Sequence, residues 1–187
     1  MKSFSIIQKI YWRYFKSPEE FARHLGVKIG KGCFISTRNF PSEGFFVEIG
    51  DYVRLANNVC LYTHGGVWAL RKAFNNPKLD YFGKIKIGSY THVGEDAKIM
   101  PGVTIGSRCV IGAGTVVTKS VPDGCMVAGN PCKFIGYTED FYNRSLTKNI
   151  ETGQMSHNRK VAYLKSLSDT SFIVKKQITI PQNKNGK

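Results

Sequence analysis

From Ile87 to Pro122 the chain repeats every six residues: IGSYTH, VGEDAK, IMPGVT, IGSRCV, IGAGTV, VTKSVP. The first place of each six holds Ile87, Val93, Ile99, Ile105, Ile111 and Val117, and the second is mostly glycine (Gly88, Gly94, Gly106, Gly112). The fifth place is small or β-branched: Thr91, Ala97, Val103, Cys109, Thr115 and Val121. Such a period matches neither the helical spacing of about 3.6 nor the alternation of a half-buried strand. Held over consecutive units, it marks a repeat architecture.

Repeats of this length build a parallel β-helix. Three sixes make one triangular coil, so residues three sixes apart stack. Ile87 is predicted beneath Ile105, Val93 beneath Ile111 and Ile99 beneath Val117, with coils about 4.8 Å apart. The apolar first place points into the prism and the small fifth place lies beside it. Glycine recurs where the chain turns, because it takes positive φ without steric cost.

At 187 residues the chain holds one domain with appendages. Its formal charge of +14 favours a polyanionic or phosphate-bearing partner. Nucleic acid is set aside, because the lysines are scattered rather than interleaved with aromatics on one face. The five cysteines form no CxxC pair, and Cys33 and Cys109 fall on fifth places as small hydrophobes. A reduced, cytoplasmic setting follows. Gln8, Lys9 and Arg13 interrupt the first apolar cluster, which reads as neither signal peptide nor membrane span.

Residues 3–16 carry apolar residues at helical spacing. Ser17-Pro18-Glu19-Glu20 then starts a second helix as a capping box that ends at Gly26. The basic, aromatic first helix reads as a cap over the raw end of the β-helix, or as a peripheral anchor at the inner membrane surface. The sixes begin at Ile29, lapse over Pro41–Val47 and resume at Ile49. Leu61 to Ile87 is a step of 26, so a loop is inserted over about 62–84, carrying His64, Trp68 and Arg71. Val127–Cys132 is expected to complete a last coil, with Asn130-Pro131 leaving the prism. Beyond Gly136 the chain is polar, with a short helix near Lys160–Leu167 and an extended piece at Phe172–Ile180. The expected organisation is a helical cap (1–27), a β-helix (28–136) and a C-terminal extension (137–187).

The run VGEDAKIMPGVTIGSRCVIGAGTVVTKSVP followed by VAGNPCKFIG resembles the hexapeptide-repeat acyltransferases, nearest the maltose, galactoside and polysaccharide O-acetyltransferases. SPEEFARHLGVKIGKG and THGGVW resemble polysaccharide-associated members, and the likeness covers roughly residues 17–136. It implies an all-β solenoid, a left-handed parallel β-helix, although parallel crossovers are ordinarily right-handed. It implies acetyl-CoA as acyl donor, no metal, and a sugar or nucleotide-sugar acceptor within surface polysaccharide synthesis. A homotrimer with active sites between subunits also follows from it.

The same resemblance makes His64 the general base that takes the proton of an acceptor hydroxyl. It places the donor against Gly94, Gly112, Ala113, Thr118, Lys119 and Lys133, lysines suiting phosphate as mobile point charges. Relatives carry arginine three residues after Lys133, where this chain has Gly136, and many carry tryptophan at His92. His92 reads as a second base, an acceptor contact or a solvated side chain. N-acetylation of an amino sugar or nucleotide-sugar, and a non-catalytic scaffold, stand as alternatives. A γ-type carbonic anhydrase needs three zinc-binding histidines, and only His64 and His92 lie among the repeats.

Overall fold

The computed structural model describes residues 6–178, with side chains from Ile10 onward. It falls into two compact units, one ending at Asp140 and one beginning at Phe141. Two helices lead, α1 (Ile6–Tyr14) and α2 (Pro18–His24). The capping box forms as its sequence dictates: Ser17 Oγ accepts the Glu20 N–H, and Glu20 Oε2 accepts the Ser17 N–H at 2.9 Å. That backbone bond, followed by the Lys16 ammonium, holds the Glu20 carboxyl down at about 2. Trp12 stacks on His24 at 4.0 Å and 6°, joining the two helices, while Ile10, Tyr11, Tyr14 and Phe15 stay exposed.

The strands follow in rotation through three sheets. β1 (Lys28–Ile29), β2 (Phe34–Ile35), β3 (Val47–Ile49), β4 (Arg54–Leu55) and β5 (Cys60–Leu61) precede a short helix, α3 (Trp68–Ala73). After it come β6 (Ile85–Ile87), β7 (His92–Val93), β8 (Lys98–Ile99), β9 (Thr104–Ile105), β10 (Val110–Ile111), β11 (Val116–Val117) and β12 (Cys125–Ala128). The first sheet is β1-β3-β6-β9, the third is β11-β8-β5, and the second runs β12-β10-β7-β4-β2 with β13 (Lys133–Tyr137) on its edge. Among these strands all pairings are parallel except β12 with β13.

The predicted stacking is met residue by residue: Ile87 pairs with Ile105, Val93 with Ile111 and Ile99 with Val117. First-place side chains from Ile87 to Val117 are buried, as are all six fifth places from Thr91 to Val121. Each buried Ile or Val contributes about 1.5–3 kcal/mol over its exposed state. Ile49 pairs with Ile87, a step of 38, which is one coil of 18 plus the 20 inserted residues. Higher up the column tightens, with Val127 over Ile111 and Val121 over Ile105, steps of 16.

Several expectations are corrected. The second-place glycines do not carry positive φ; the turns take it at the fourth place, as at Gly102 (83°) and Gly114 (66°). Second-place glycine is required by close approach instead: a Cβ on Gly88 would lie 2.5 Å from the Gly106 carbonyl carbon, and one on Gly94 2.6 Å from the Ala113 nitrogen. The chain does leave the column at Asn130-Pro131, but it then reverses and pairs antiparallel with the strand it has just left. Two short helices went unpredicted, α3 in the insertion and α4 (Thr138–Leu146). Within the second unit, α5 (His157–Ser166) begins earlier than the sequence suggested. No strand forms over the described part of Phe172–Ile180, and residues 179–180 lie outside the described region. Among the described residues no helix is long and apolar enough to cross a membrane.

Candidate active site

His64 stands at the lip of the third sheet, three residues past β5. Alternation along the extended chain buries Thr63 and leaves the His64 side chain 54% exposed. The inserted loop is closed at its base by an antiparallel bridge between His64 and Phe82. The Gly65 N–H donates to the Tyr81 carbonyl at 3.0 Å and the Gly83 N–H to the Thr63 carbonyl at 2.8 Å. The Phe82 ring meets the imidazole edge-on at 6.1 Å and is itself packed by Phe46 at 5.9 Å.

The partner that orients the imidazole is Glu43, whose Oε2 lies 3.4 Å from His64 Nδ1. The same oxygen accepts the Thr63 hydroxyl at 3.3 Å, and Oε1 accepts the Ser42 hydroxyl at 2.9 Å. Burial pushes the Glu43 carboxyl up, but the bonds from Ser42, its own backbone and Thr63, with the attraction of His64, hold it below its ordinary value. An ionised Glu43 favours the tautomer with the proton on Nδ1, which leaves the Nε2 lone pair free to accept one. Beside the ring runs a groove of about 360 Å³, lined by Asn39, Phe40, Pro41, Cys60, Tyr62 and His64.

The donor-site candidates other than Lys133 frame the third sheet. Thr118 and Lys119 leave it at the same edge as His64, two coils higher, which is about 10 Å along the axis. Gly94, Gly112 and Ala113 form the opposite corner, where the second sheet hands the chain to the third. Lys98, exposed between Cys60 and Val116, carries a further cation on that sheet. Gly94 is buried, and its N–H is spent on the Ile111 carbonyl at 2.9 Å, while Ala113, Thr118 and Lys119 are exposed. Lys119 lines a second groove of about 350 Å³ with Pro122, Cys132, Phe134 and Tyr137. Lys133 opens β13 and is exposed. His64 borders only the first of these two grooves and Lys119 only the second.

His92 stands apart, in β7 of the second sheet, between Arg54 and Val110. Burial, then the Arg54 charge, holds its imidazole below the ordinary value. Glu43 carries no signal in the sequence, because it falls in the lapse of the repeats. Lys98 was legible in principle as a sixth-place residue facing outward.

A family model described as bacterial transferase hexapeptide (six repeats) matches residues 84–119. The chain is 38% identical over 164 residues to Protein CapG of Staphylococcus aureus, covering 84% of this chain and 94% of that one. Its fold is similar to a maltose O-acetyltransferase from Clostridium difficile 630, at TM-score 0.51 and 32% identity over 64% of this chain and 73% of that one. It is also similar to a galactoside acetyltransferase in complex with coenzyme A, at TM-score 0.52 and 25% identity, with 71% and 78% covered. This chain therefore belongs to the hexapeptide-repeat acyltransferases, in the branch of the maltose and galactoside O-acetyltransferases, and is an enzyme of acyl transfer.

Proposed function

We propose that this protein moves an acetyl group from acetyl-CoA to a sugar hydroxyl, with His64 as general base, on a left-handed parallel β-helix assembled as a homotrimer. The observation that carries the reading is the His64–Glu43 pair, set at an exposed lip with Nε2 free. Nε2 takes the hydroxyl proton as the acceptor oxygen attacks the thioester carbonyl. The tetrahedral oxyanion then collapses, the C–S bond breaks, and the leaving thiolate recovers the proton from the imidazolium. A positioned base supplies about 10²–10⁴-fold; holding both substrates in line supplies much of the remainder.

Coenzyme A in the similar galactoside acetyltransferase supports the donor assignment. Here the fit rests on the exposed members of the set. The Ala113–Gly114 corner is low, since even a Cβ on Gly114 would meet nothing within 4 Å, and Lys119 and Lys133 offer cations for phosphate. Gly94 and Gly112 are explained by coil packing, so they shape the wall from behind. The separation of the His64 and Lys119 grooves on one chain supports a site completed by a neighbouring copy. Peripheral membrane contact through the exposed side of α1 belongs to the same reading, and co-sedimentation with anionic vesicles tests it.

The deciding experiment is release of free thiol from acetyl-CoA in the presence of maltose, a galactoside or a nucleotide-sugar, with the product identified by mass. Acceptor-dependent release that yields an ester supports the reading. An amide product would move the chemistry to nitrogen, and no transfer to any sugar would overturn it.

A further inference from the structure

The fourth place of most sixes turns with positive φ, and most of these turns fill it with residues suited to that region. The corner between the second and third sheets uses Asn58, Asp96 and Gly114. The corner between the first and second sheets differs, running Gly32, Tyr52, Tyr90, Arg108 and Gly124 from coil to coil. Its three middle residues hold φ of 54°, 60° and 54°, where bulky side chains are outliers. Asparagine would make the same turn with less strain, so the turn does not account for the tyrosines.

These side chains build a surface instead. The Tyr52 ring lies against Gly32, where a Cβ would come 2.5 Å from it. Tyr90 stacks on Tyr52 at 5.2 Å and 11°, yet Tyr90 stays 62% exposed and Tyr52 49%. Above Tyr90 the aromatic column stops, and a cavity of about 580 Å³ opens between Tyr90, Arg108, Tyr137, Thr138, Glu139 and Asp140. Thr138 Oγ1 finds no hydrogen-bond partner among the described residues. His64 is not among the walls, and Tyr137 alone is shared with the Lys119 groove.

We propose that this cavity is a saccharide-binding site separate from the His64 lip, seating one ring of a neutral oligosaccharide on Tyr90. A tyrosine face is apolar and flat, suited to the C–H face of a pyranose, with a polar tip at its rim. Sugar hydroxyls donate to the Glu139 and Asp140 carboxylates and accept from the Arg108 guanidinium. One cation against two anions leaves the cavity net negative, which disfavours a nucleotide or coenzyme A phosphate and favours an uncharged polyol. Such a site retains a chain while another of its units reaches the acetylating lip. The binding claim stands independently of the acetyl-transfer reading, because it is measured without turnover.

The test is two-dimensional NMR of the full chain with ring-labelled tyrosine, titrated with maltotriose and with lactose. Tyr52→Phe and Tyr90→Phe assign the signals. The expected result is saturable movement of the Tyr90 and Tyr52 signals with at least one sugar. Tyr90→Asn, which keeps the left-handed turn, weakens that binding about tenfold or more, while His64→Ala leaves it unchanged. The proposal is overturned if neither sugar moves the signals or if Tyr90→Asn binds as the parent does. It is also overturned if coenzyme A saturates the same signals, since the cavity then belongs to the donor.

Discussion

Replacing Gly94 by alanine separates two reasons for a glycine at that position. A Cβ there would lie 2.6 Å from the Ala113 nitrogen and 2.8 Å from the Ile111 oxygen, all backbone of the coil above, whereas ordinary contact begins near 3.4 Å. The upper coil must therefore lift by ~0.8 Å (3.4 − 2.6). Such a lift stretches the Gly94 N–H to Ile111 bond from 2.9 Å and the Gly114 N–H to Glu95 bond from 2.7 Å to or past the useful limit. Two backbone bonds at about 0.5–1.5 kcal/mol each give a loss of about 1–3 kcal/mol, in line with overpacking costs elsewhere. For a unit of this size that is a drop in Tm of roughly 3–9 °C. Gly114→Ala is the control: it meets no atom and costs only its φ of 66°, about 1–2 kcal/mol. Gly114→Asn should recover most of that, and Gly94→Asn should recover none. Thermal unfolding followed by circular dichroism reads all four. If Gly94→Ala melts with the parent but loses acetyl-CoA affinity, the close-approach argument fails and the glycine serves the ligand.

Three further outcomes are expected. Glu43→Gln should lower kcat about tenfold to a hundredfold with little change in KM for acetyl-CoA, because the imidazole loses the anion that sets its tautomer; equal loss in KM would place Glu43 in substrate binding. Lys119→Ala should weaken acetyl-CoA binding by calorimetry, with the deficit shrinking as salt is raised, since phosphate contacts are screened; unchanged affinity would put the phosphates elsewhere. His92 resists its proton more when folded than unfolded, owing to burial and Arg54. Its share of stability is therefore present above the ordinary value of 6.5 and is lost as pH falls through the lower folded value. His92→Gln should flatten the fall in Tm between neutral pH and about pH 5; an unchanged slope would assign the acid sensitivity to another group.

The column was legible because its cause is local and repeated. Each six states which side chain goes inward, and that alone sets Ile87, Ile99 and Ile111 over their partners. The Ser17–Glu20 box was readable for the same reason, two reciprocal bonds within four residues. The count from Leu61 to Ile87 gives the inserted length, and within that loop it is the family resemblance that singles out His64. Glu43 could not be, because its meeting with His64 depends on how two interruptions of the repeat fold against each other across 21 residues (64 − 43). The antiparallel return of β13 was hidden for a related reason: Lys133–Tyr137 carries no periodicity of its own and is positioned by the sheet edge it joins. Positive φ accounts for the fourth-place glycines, whereas the second-place glycines answer to a neighbouring coil, which no single six reveals and which excludes their side chains.

Acyl transfer by His64 is tested most directly by acceptor-dependent thiol release from acetyl-CoA, comparing the parent with His64→Ala at matched Tm. A fall of about 10²–10⁴-fold in kcat with coenzyme A binding intact is predicted. Turnover near the parent's would contradict the account and remove the proton acceptor from this lip.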